Sequence, residues 1–378
     1  MALQIDQFVY LAHRELGKSV ISLNPDVAEE AQAKNEDCVT FGVKDTCQIP
    51  QEYFDRVRRD ARYLWLTIDK MANSGRSIDT DLVNPLTYQC MTGSSSGGAI
   101  NILKGINDFA IGTDGGGSVL APALSCQLTS MIGAGLGLFV KSASRSTEAI
   151  SITPSVGVLA KNISRVKEVM LCMAGGSLAF ERCPALRIAI PQKGDCMLPD
   201  GVTMHEKLMP YLLADGFAGY ELVEYDLNGI EDRAVAECKL KSALQEADVV
   251  LTYEGPIDVF GRGETIPRMF AGTTGKRITA SDGKFAVKSA NICGFTAVTV
   301  PGPELAAGFV ITADHGLKGA SMALQVAELL EQQVVLPEAF LRYYFSNERK
   351  KPGFSAPRYP YKNTVQGTPG KEIQEATV

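Results

Sequence analysis

The sequence predicts an α/β protein in which helices cover a central sheet. Four continuously apolar segments are typical of buried, parallel-type strands, because such strands are covered on both faces. These segments are residues 186–191, 248–253, 295–301 and 306–312. Four predicted helices alternate with them, at residues 164–175, 203–214, 231–245 and 317–332. This alternation favours a sheet layered by helices.

The N-terminal third is predicted to contain three helices and two strands. Residues 1–35 are predicted to be helical, and residues 38–46 form a short buried strand that ends in a turn. Residues 51–75 have apolar side chains three or four positions apart, which is typical of a helix. A further helix begins near Gly97, and residues 108–114 form a strand that leads into a glycine turn.

We expect a single domain over residues 1–335, followed by a polar tail over residues 336–378. The first segment has no internal repeat and no clear linker. The tail has four prolines after position 350 and little periodicity, which is typical of a disordered or surface-wrapping segment. The alternative is an arm that docks on a second subunit of a homodimer through Phe354, Tyr359 and Tyr361.

The composition excludes several classes of function. The 378 residues are 45% hydrophobic and 21% charged, which is ordinary for a globular protein. A net charge of −6 argues against a nucleic-acid partner. No segment approaches the ~20 apolar residues of a membrane span, and the N-terminus does not resemble a signal peptide. Nine cysteines without a CxxC pair indicate reduced thiols, and therefore a cytoplasmic protein.

Histidine is too scarce to support the usual acid–base or metal chemistry. The three histidines, His13, His205 and His315, are far apart in the sequence. We therefore expect neither a histidine-based metal site nor a histidine-dependent triad, and no cofactor.

The segment GTDGGGS, residues 112–118, is the first candidate for a reactive site. Three consecutive glycines after a strand allow backbone N–H groups to converge on an anion. The phosphate-binding glycine motifs do not fit here, which favours an oxyanion that forms during a reaction. Ser118 ends the segment and is a potential nucleophile.

A serine nucleophile requires a base, and Lys44 is a candidate. Lys44 ends an apolar strand, and burial would lower its pKa until the neutral amine could accept a proton. The alternative is a strand-end lysine whose amine reaches solvent.

Three ordered motifs resemble those of the amidase signature family. They are GVKD at residues 42–45, GSSSGG at residues 93–98, and GTDGGGS followed by Pro122. The family's patterns are G-[VI]-K-D, GGSSGG and G-T-D-x-G-G-S with a proline four residues later. The interval from Lys44 to Ser95 is clearly shorter than usual, and that from Ser95 to Ser118 is one residue short.

The resemblance extends over roughly residues 20–332 and identifies a short, divergent member. It implies an α/β/α sandwich with a large mixed, mostly parallel, twisted central sheet covered by helices. It also implies a Ser–cisSer–Lys triad. Ser118 is then the nucleophile, Lys44 is the base, and Ser95 bridges them after a cis Ser94–Ser95 peptide.

The resemblance further implies an oxyanion hole and a substrate pocket. The amides of Gly115, Gly116 and Gly117, with that of Ser118, would hold the oxyanion, and Asp114 would order the loop. Candidates for the pocket are Thr92, Gly93 and Leu120. Leu120 stands where the family carries an arginine, so an apolar pocket wall is expected there and no substrate carboxylate held by that arginine.

The expected activity is hydrolysis of a small-molecule linear amide, a carbon–nitrogen bond other than a peptide bond, through an acyl-enzyme. One alternative is an amidotransferase-like subunit that passes the acyl or amide group to an amine with a partner chain. The other is a non-catalytic binding protein on the same fold.

Overall fold

An eleven-stranded mixed sheet forms the centre of the computed structural model, which describes residues 2–145, 151–176, 179–264 and 272–346. In chain order the strands are β1 (Val20–Leu23), β2 (Val39–Lys44), β3 (Tyr63–Asp69), β4 (Ile78–Val83), β5 (Cys90–Thr92), β6 (Phe109–Asp114), β7 (Thr129–Ile132), β8 (Ser144–Arg145), β9 (Ser151–Ile152), β10 (Ser155–Ala160), β11 (Arg187–Pro191), β12 (Glu221–Tyr225), β13 (Val249–Glu254), β14 (Thr296–Pro301) and β15 (Gly308–Ala313). Strands β4 and β5 pair with each other outside the sheet, and so do β8 and β9.

The order of strands in the sheet is β1-β3-β2-β6-β10-β7-β14-β15-β13-β11-β12. The large mixed sheet of the expected fold class is confirmed, but the expectation that it is mostly parallel is wrong. Six of its ten neighbouring pairs are antiparallel, and four are parallel. Strands β14 and β15 show why, since both are buried along their whole length yet run antiparallel to each other. A continuous apolar run indicates cover on both faces, not strand direction.

The helices pack on this sheet. They are α1 (Ala2–Arg14), α2 (Val27–Gln32), α3 (Gln51–Arg59), α4 (Ser96–Leu103), α5 (Leu120–Ser125), α6 (Ile163–Met173), α7 (Met204–Leu212), α8 (Arg233–Glu246), α9 (Gly272–Ala280), α10 (Leu317–Gln333) and α11 (Glu338–Phe340). Helix α4 contacts β2, β3 and β6, α5 contacts β7 and β14, and α10 contacts β14 and β15. Within the described ranges, no helix has the length and apolar character that a bilayer crossing requires.

The predicted elements of the C-terminal half are confirmed, whereas two in the N-terminal half are corrected. Strands β11, β13, β14 and β15 and helices α6, α7, α8 and α10 occupy the predicted segments. The N-terminal segment contains strand β1 as well as helices, and residues 51–75 divide into α3 and β3. The backbone turns extended at Asp60, the C-cap of α3. Beyond it the aromatic and β-branched side chains of β3 suit a half-buried sheet, although their spacing also fits a helix.

Residues beyond the predicted boundary at 335 continue along the core. Helix α11 is followed by a π-helical turn over Leu341–Phe345. The side chains of Phe340, Tyr344 and Phe345 pack against the main hydrophobic cluster. The predicted anchors of a docking arm, Phe354, Tyr359 and Tyr361, lie outside the described residues.

Candidate active site

The three motifs meet at one edge of the sheet. Strands β2 and β6 are parallel neighbours, with Val43 opposite Ile111, so the strand ends at Lys44 and Asp114 lie at the same edge of the sheet. Helix α4 begins directly after the serine run, and its packing on both strands brings that run to the same edge. The carboxyl ends of neighbouring parallel strands are a common place for a reactive site.

Lys44 lies buried at this edge with its amine fully engaged. Its Nζ donates to Ser94 Oγ at 2.6 Å, to Thr113 Oγ1 at 2.8 Å and to the Thr113 carbonyl at 3.3 Å. Only 4% of the residue is exposed, which excludes the solvent-reaching alternative. Burial lowers the pKa of Lys44 to about 7, and the Asp114 carboxylate opposes that shift.

Ser94 connects Lys44 to Ser118. The Ser94 amide donates to Ser118 Oγ at 3.3 Å, and the next amide, of Ser95, donates to the Ser118 carbonyl at 3.2 Å. The Ser118 hydroxyl is therefore held against the residue whose own hydroxyl contacts the lysine. Ser118 is partly exposed, so its hydroxyl can meet a ligand from outside.

The structure places Ser94, not Ser95, where the bridging serine was predicted. The Ser95 hydroxyl lies 3.4 Å from the Thr113 carbonyl, on the side of Gly112, and Ser95 is the N-cap of α4. The Ser94–Ser95 peptide, predicted to be cis, is trans; the cis peptide among the described residues precedes Pro256. The spacing carried a signal, because choosing Ser94 lengthens the interval to Ser118 by one residue, to the family's usual value.

Asp114 organises the glycine segment through its carboxylate. Its Oδ1 accepts from the Gly117 amide at 2.7 Å, and its Oδ2 accepts from the amides of Val119 at 2.6 Å and Leu120 at 3.2 Å. Burial raises the pKa of the Asp114 carboxyl, while these three amides and Lys44 lower it. The predicted loop-ordering contacts of Asp114 are thus present in the structure.

The same contacts change which amides can hold an oxyanion. The Gly117 amide donates to Asp114 and is turned away from a ligand, contrary to its predicted place in the oxyanion hole. The amides of Gly115, Gly116 and Ser118 have no protein acceptor among the described residues. These three amides, together called the nest below, are the donors that the structure leaves for an anion.

The outer wall of the nest comes from the C-terminal half of the chain. Gly117 has φ +99°, which favours glycine, and a methyl group built on it would lie 2.8 Å from Val287 Cγ1. Glu254, at the end of β13, accepts from the amides of Phe285 at 2.7 Å and Val287 at 3.2 Å. Burial raises the pKa of Glu254 to about 7.

Sequence reasoning missed the residues that support the nest from a distance. Asn291 donates to the carbonyls of Gly115 at 3.5 Å and Thr153 at 3.2 Å. Thr113, which contacts Lys44, lies inside the GTDGGGS motif, so the sequence carried a signal for it. An acidic residue closing an apolar strand was the corresponding signal for Glu254.

Two of the predicted pocket residues, Thr92 and Leu120, do not line the nest, whereas Gly93 lies beside Ser118. Thr92 is 1% exposed, and Leu120 is fully buried in the core on helix α5. The Gly93 amide donates to the Ser77 carbonyl at 2.7 Å, which ties that residue to the β4 side of the molecule. The apolar wall expected at Leu120 is therefore part of the protein interior.

Comparison with known proteins bears on the family and the fold. Residues 77–185 match the family model described as Amidase. A search of curated protein sequences finds no match. Within the described ranges, no group of three or more His, Cys, Asp or Glu side chains is placed to hold a metal ion.

Solved structures share the fold across nearly the whole chain. A glutamyl-tRNA(Gln) amidotransferase subunit from Thermotoga maritima is 15% identical, with a TM-score of 0.63, and the similarity covers 89% of this chain and 93% of that one. A 6-aminohexanoate cyclic dimer hydrolase is 14% identical, with a TM-score of 0.61 and coverage of 89% and 94%. Peptide amidase from Stenotrophomonas maltophilia is 15% identical, with a TM-score of 0.58 and coverage of 88% and 94%. The family resemblance seen in the motifs is confirmed, and so is the large mixed sheet covered by helices that it implied, apart from the expected excess of parallel strands.

Proposed function

We propose that this protein, which has the amidase signature fold, is a serine amidase that hydrolyses a carboxamide through an acyl-enzyme. The proposal rests on one observation above all. The buried Lys44 amine contacts the Ser94 hydroxyl, and the Ser94 amide contacts the Ser118 hydroxyl, beside three amides without a protein acceptor among the described residues. Ser118 is the nucleophile, Ser94 the proton bridge and Lys44 the base.

In the first half of the reaction the Ser118 oxygen attacks the carboxamide carbon. The Ser118 proton passes to Ser94 Oγ as the Ser94 proton passes to the neutral Lys44 amine. The carbonyl oxygen becomes an oxyanion, which the amides of Gly115, Gly116 and Ser118 stabilise. The Lys44 ammonium then returns a proton through Ser94 to the leaving nitrogen as the C–N bond breaks.

In the second half, water takes the place of the amine. Its proton passes through Ser94 to the again neutral Lys44, and its oxygen attacks the ester carbon of the acyl-enzyme. The oxyanion forms once more in the nest. When this oxyanion collapses, the ester bond breaks. Ser118 then regains its proton through Ser94, and the carboxylic acid leaves.

The electrostatics support a lysine in this role. An ordinary lysine is protonated at neutral pH, whereas burial brings the pKa of Lys44 to about 7. A base whose pKa lies near the working pH combines a useful neutral fraction with sufficient proton affinity. This allows the site to operate without histidine.

A fluorophosphonate probe tests the proposal directly. We expect one covalent adduct on the intact protein, located at Ser118 by peptide mass spectrometry. The Ser118→Ala variant should lose the adduct, while Ser164→Ala, which removes a hydroxyl on the exposed side of α6, should keep it. Absence of an adduct on well-folded protein contradicts the proposal and favours a non-catalytic binding protein.

Similarity to an amidotransferase chain gives the second candidate. In that case the acyl or amide group passes to an amine, with a partner chain, and water is a poor acceptor. Hydrolysis and transfer are distinguished by incubating the isolated chain with anilides, primary fatty amides and dipeptide amides. Release of carboxylic acid without an added amine supports hydrolysis, and labelling by the probe with no hydrolysis supports transfer. Cyclic amides belong in the same screen, since one structural neighbour is a cyclic dimer hydrolase.

A further inference from the structure

The guanidinium group of Arg233 lies beside the nest, although Arg233 comes from the start of α8, far along the chain from Ser118. A methyl group built on Gly116 would lie 3.3 Å from Arg233 Nη2 and 3.8 Å from Arg233 Cζ. The Gly116 amide is one of the three without a protein acceptor among the described residues. A fixed positive charge therefore adjoins the place where the carboxamide oxygen would bind.

Two other neighbours of the nest are apolar, and a third is a lysine. A methyl group built on Gly115 would lie 2.8 Å from Ile152 Cδ1 and 3.5 Å from Pro154 Cγ. The Lys288 carbonyl is also close to Gly116, but the Lys288 ammonium lies 3.5 Å from Asp282 Oδ2. The surroundings of the nest thus combine an apolar side with a guanidinium side.

We propose that Arg233 binds a carboxylate of the substrate, so that the substrate is an amide carrying a carboxylate a few bonds from the scissile carbonyl. This inference rests on the proposed amidase activity. A guanidinium presents a planar fork of donors that matches a carboxylate with two parallel hydrogen bonds. Arg233 has a further interaction partner within the protein, and its five N–H donors allow it to serve more than one acceptor.

Helix α8 supplies an arginine that the segment after Ser118 lacks. The position after Ser118 where the family carries an arginine holds Leu120, which lies in the core. Spatially, an arginine reaches the nest from the opposite half of the chain. Because the carboxylate would be held on the protein while the carboxamide oxygen lies in the nest, the contact fixes the scissile carbon over Ser118.

Succinamate and succinamide are a matched pair of probes, because the first carries a carboxylate where the second carries a neutral amide. We expect the wild-type chain to hydrolyse succinamate with a kcat/KM about 10- to 100-fold above that for succinamide, as for other charge-assisted contacts. Arg233→Gln should remove this preference, so that succinamate and succinamide are hydrolysed with similar kcat/KM. Lys239→Gln is the control, since it removes a cation from the same helix that pairs with Asp226.

The outcomes separate this inference from the amidase proposal. An equal loss on both substrates in Arg233→Gln would make Arg233 structural and overturn the inference, as would equal hydrolysis of both by the wild type. Calorimetric binding of succinamate to Ser118→Ala, abolished by adding Arg233→Gln, supports the carboxylate site even if turnover is absent. If succinamate does not bind Ser118→Ala while fluorophosphonate still labels the wild type, the carboxylate site is overturned and the amidase proposal stands. N-Acetylglycine in place of succinamate tells whether the carboxylate belongs to the leaving amine or to the acyl part.

Discussion

At the scale of single residues, Lys44 shows how burial prepares an ordinary side chain for the proposed role of a base. Its amine is surrounded by two hydroxyls and a carbonyl, all of which accept. Burial penalises the protonated form, whereas the nearby Asp114 carboxylate favours it. The balance leaves the pKa at about 7, low enough for the neutral amine to be present in useful amounts.

This pKa predicts the pH dependence of activity. The fraction of neutral Lys44 rises through about pH 7, so kcat/KM should rise with pH over the same range and level off above it. Lys44→Ala should lower kcat/KM at neutral pH by about 10²–10⁴-fold and regain part of it in alkaline solution, where hydroxide can act as the base. Initial rates measured between pH 5 and 10 check both statements.

Lys193→Ala is a suitable control, because Lys193 is exposed. A Lys44→Ala variant as active as wild type at pH 7 would refute the assigned base.

The two neighbouring serines offer a second prediction. Ser94→Ala removes the hydroxyl that lies 2.6 Å from Lys44 Nζ, and should lower kcat by about 100-fold or more. Ser95→Ala removes a hydroxyl whose contact is a carbonyl at 3.4 Å, and should lower kcat by less than about tenfold. Rates at saturating substrate, with melting temperatures for both variants, make the comparison. A larger loss in Ser95→Ala would restore the assignment made from the motif.

The register of the serine run shows a limit of motif matching. Three serines in succession fit the pattern in more than one way, and the departure at Ser94 made Ser95 the closer match to GGSSGG. The backbone decides between them, because it directs the Ser94 hydroxyl to Lys44 and uses Ser95 as a helix N-cap. Residue type alone carries no information about that direction.

At the scale of elements, burial could be predicted from sequence more readily than pairing. Strands β13, β14 and β15 were found because all their side chains are buried, which leaves an apolar run. Strand β3 was assigned to a helix, since apolar residues on two faces of a strand also fall three and four apart. The direction of a strand and its pairing partner depend on contacts between distant segments, and such contacts leave no local pattern in the sequence.

Asp69 is a buried carboxyl enclosed by β2, β3 and α4. Its Oδ1 accepts from Thr67 Oγ1 and Asn101 Nδ2, both at 2.7 Å, while its Oδ2 has no partner among the described residues. The free oxygen lies over Gly42, where a methyl group would come within 2.1 Å of it. Burial raises the pKa of Asp69 to about 7.

Asp69 therefore predicts a pH dependence of stability. An aspartate in the unfolded chain titrates near 3.8, so the folded state binds more protons than the unfolded state between about pH 4 and 7. The contribution of Asp69 to the free energy of unfolding is complete below about pH 4 and is lost as the pH rises through about 7. Asp69→Asn removes this titration, so the fall in unfolding free energy from pH 5 to 8 should be smaller by roughly 2–3 kcal/mol.

Urea denaturation of both proteins at the two pH values measures the difference, and the titrations of Lys44 and Glu254 cancel in it. An identical pH dependence in the two proteins would show that Asp69 is ionised in the folded state.

At the scale of the whole molecule, the sheet consists of two halves in chain order. Strands from residues before 161 lie on one side and strands from residues after 186 lie on the other. They meet where β7 pairs with β14, through Met131 opposite Val298. The proposed triad belongs to the first half, and the wall of the nest, with Arg233, belongs to the second.

This division explains what the sequence could and could not predict about the site. Lys44, Ser118 and Asp114 lie in short motifs whose order and spacing are informative without a structure. Asn291, Glu254 and Arg233 reach the nest only through the arrangement of the sheet, and no motif links them to Ser118 in sequence.

The pairing of β7 with β14 also sets an order of events during synthesis of the chain. The proposed nucleophile and its proposed base leave the ribosome early, but β7 has an unpaired edge until residues 296–301 follow. That edge can pair with other strands while it waits. The nest acquires its outer wall only when residues 285–291 have been made. A nascent chain thus carries Ser118 and Lys44 long before the nest has its outer wall.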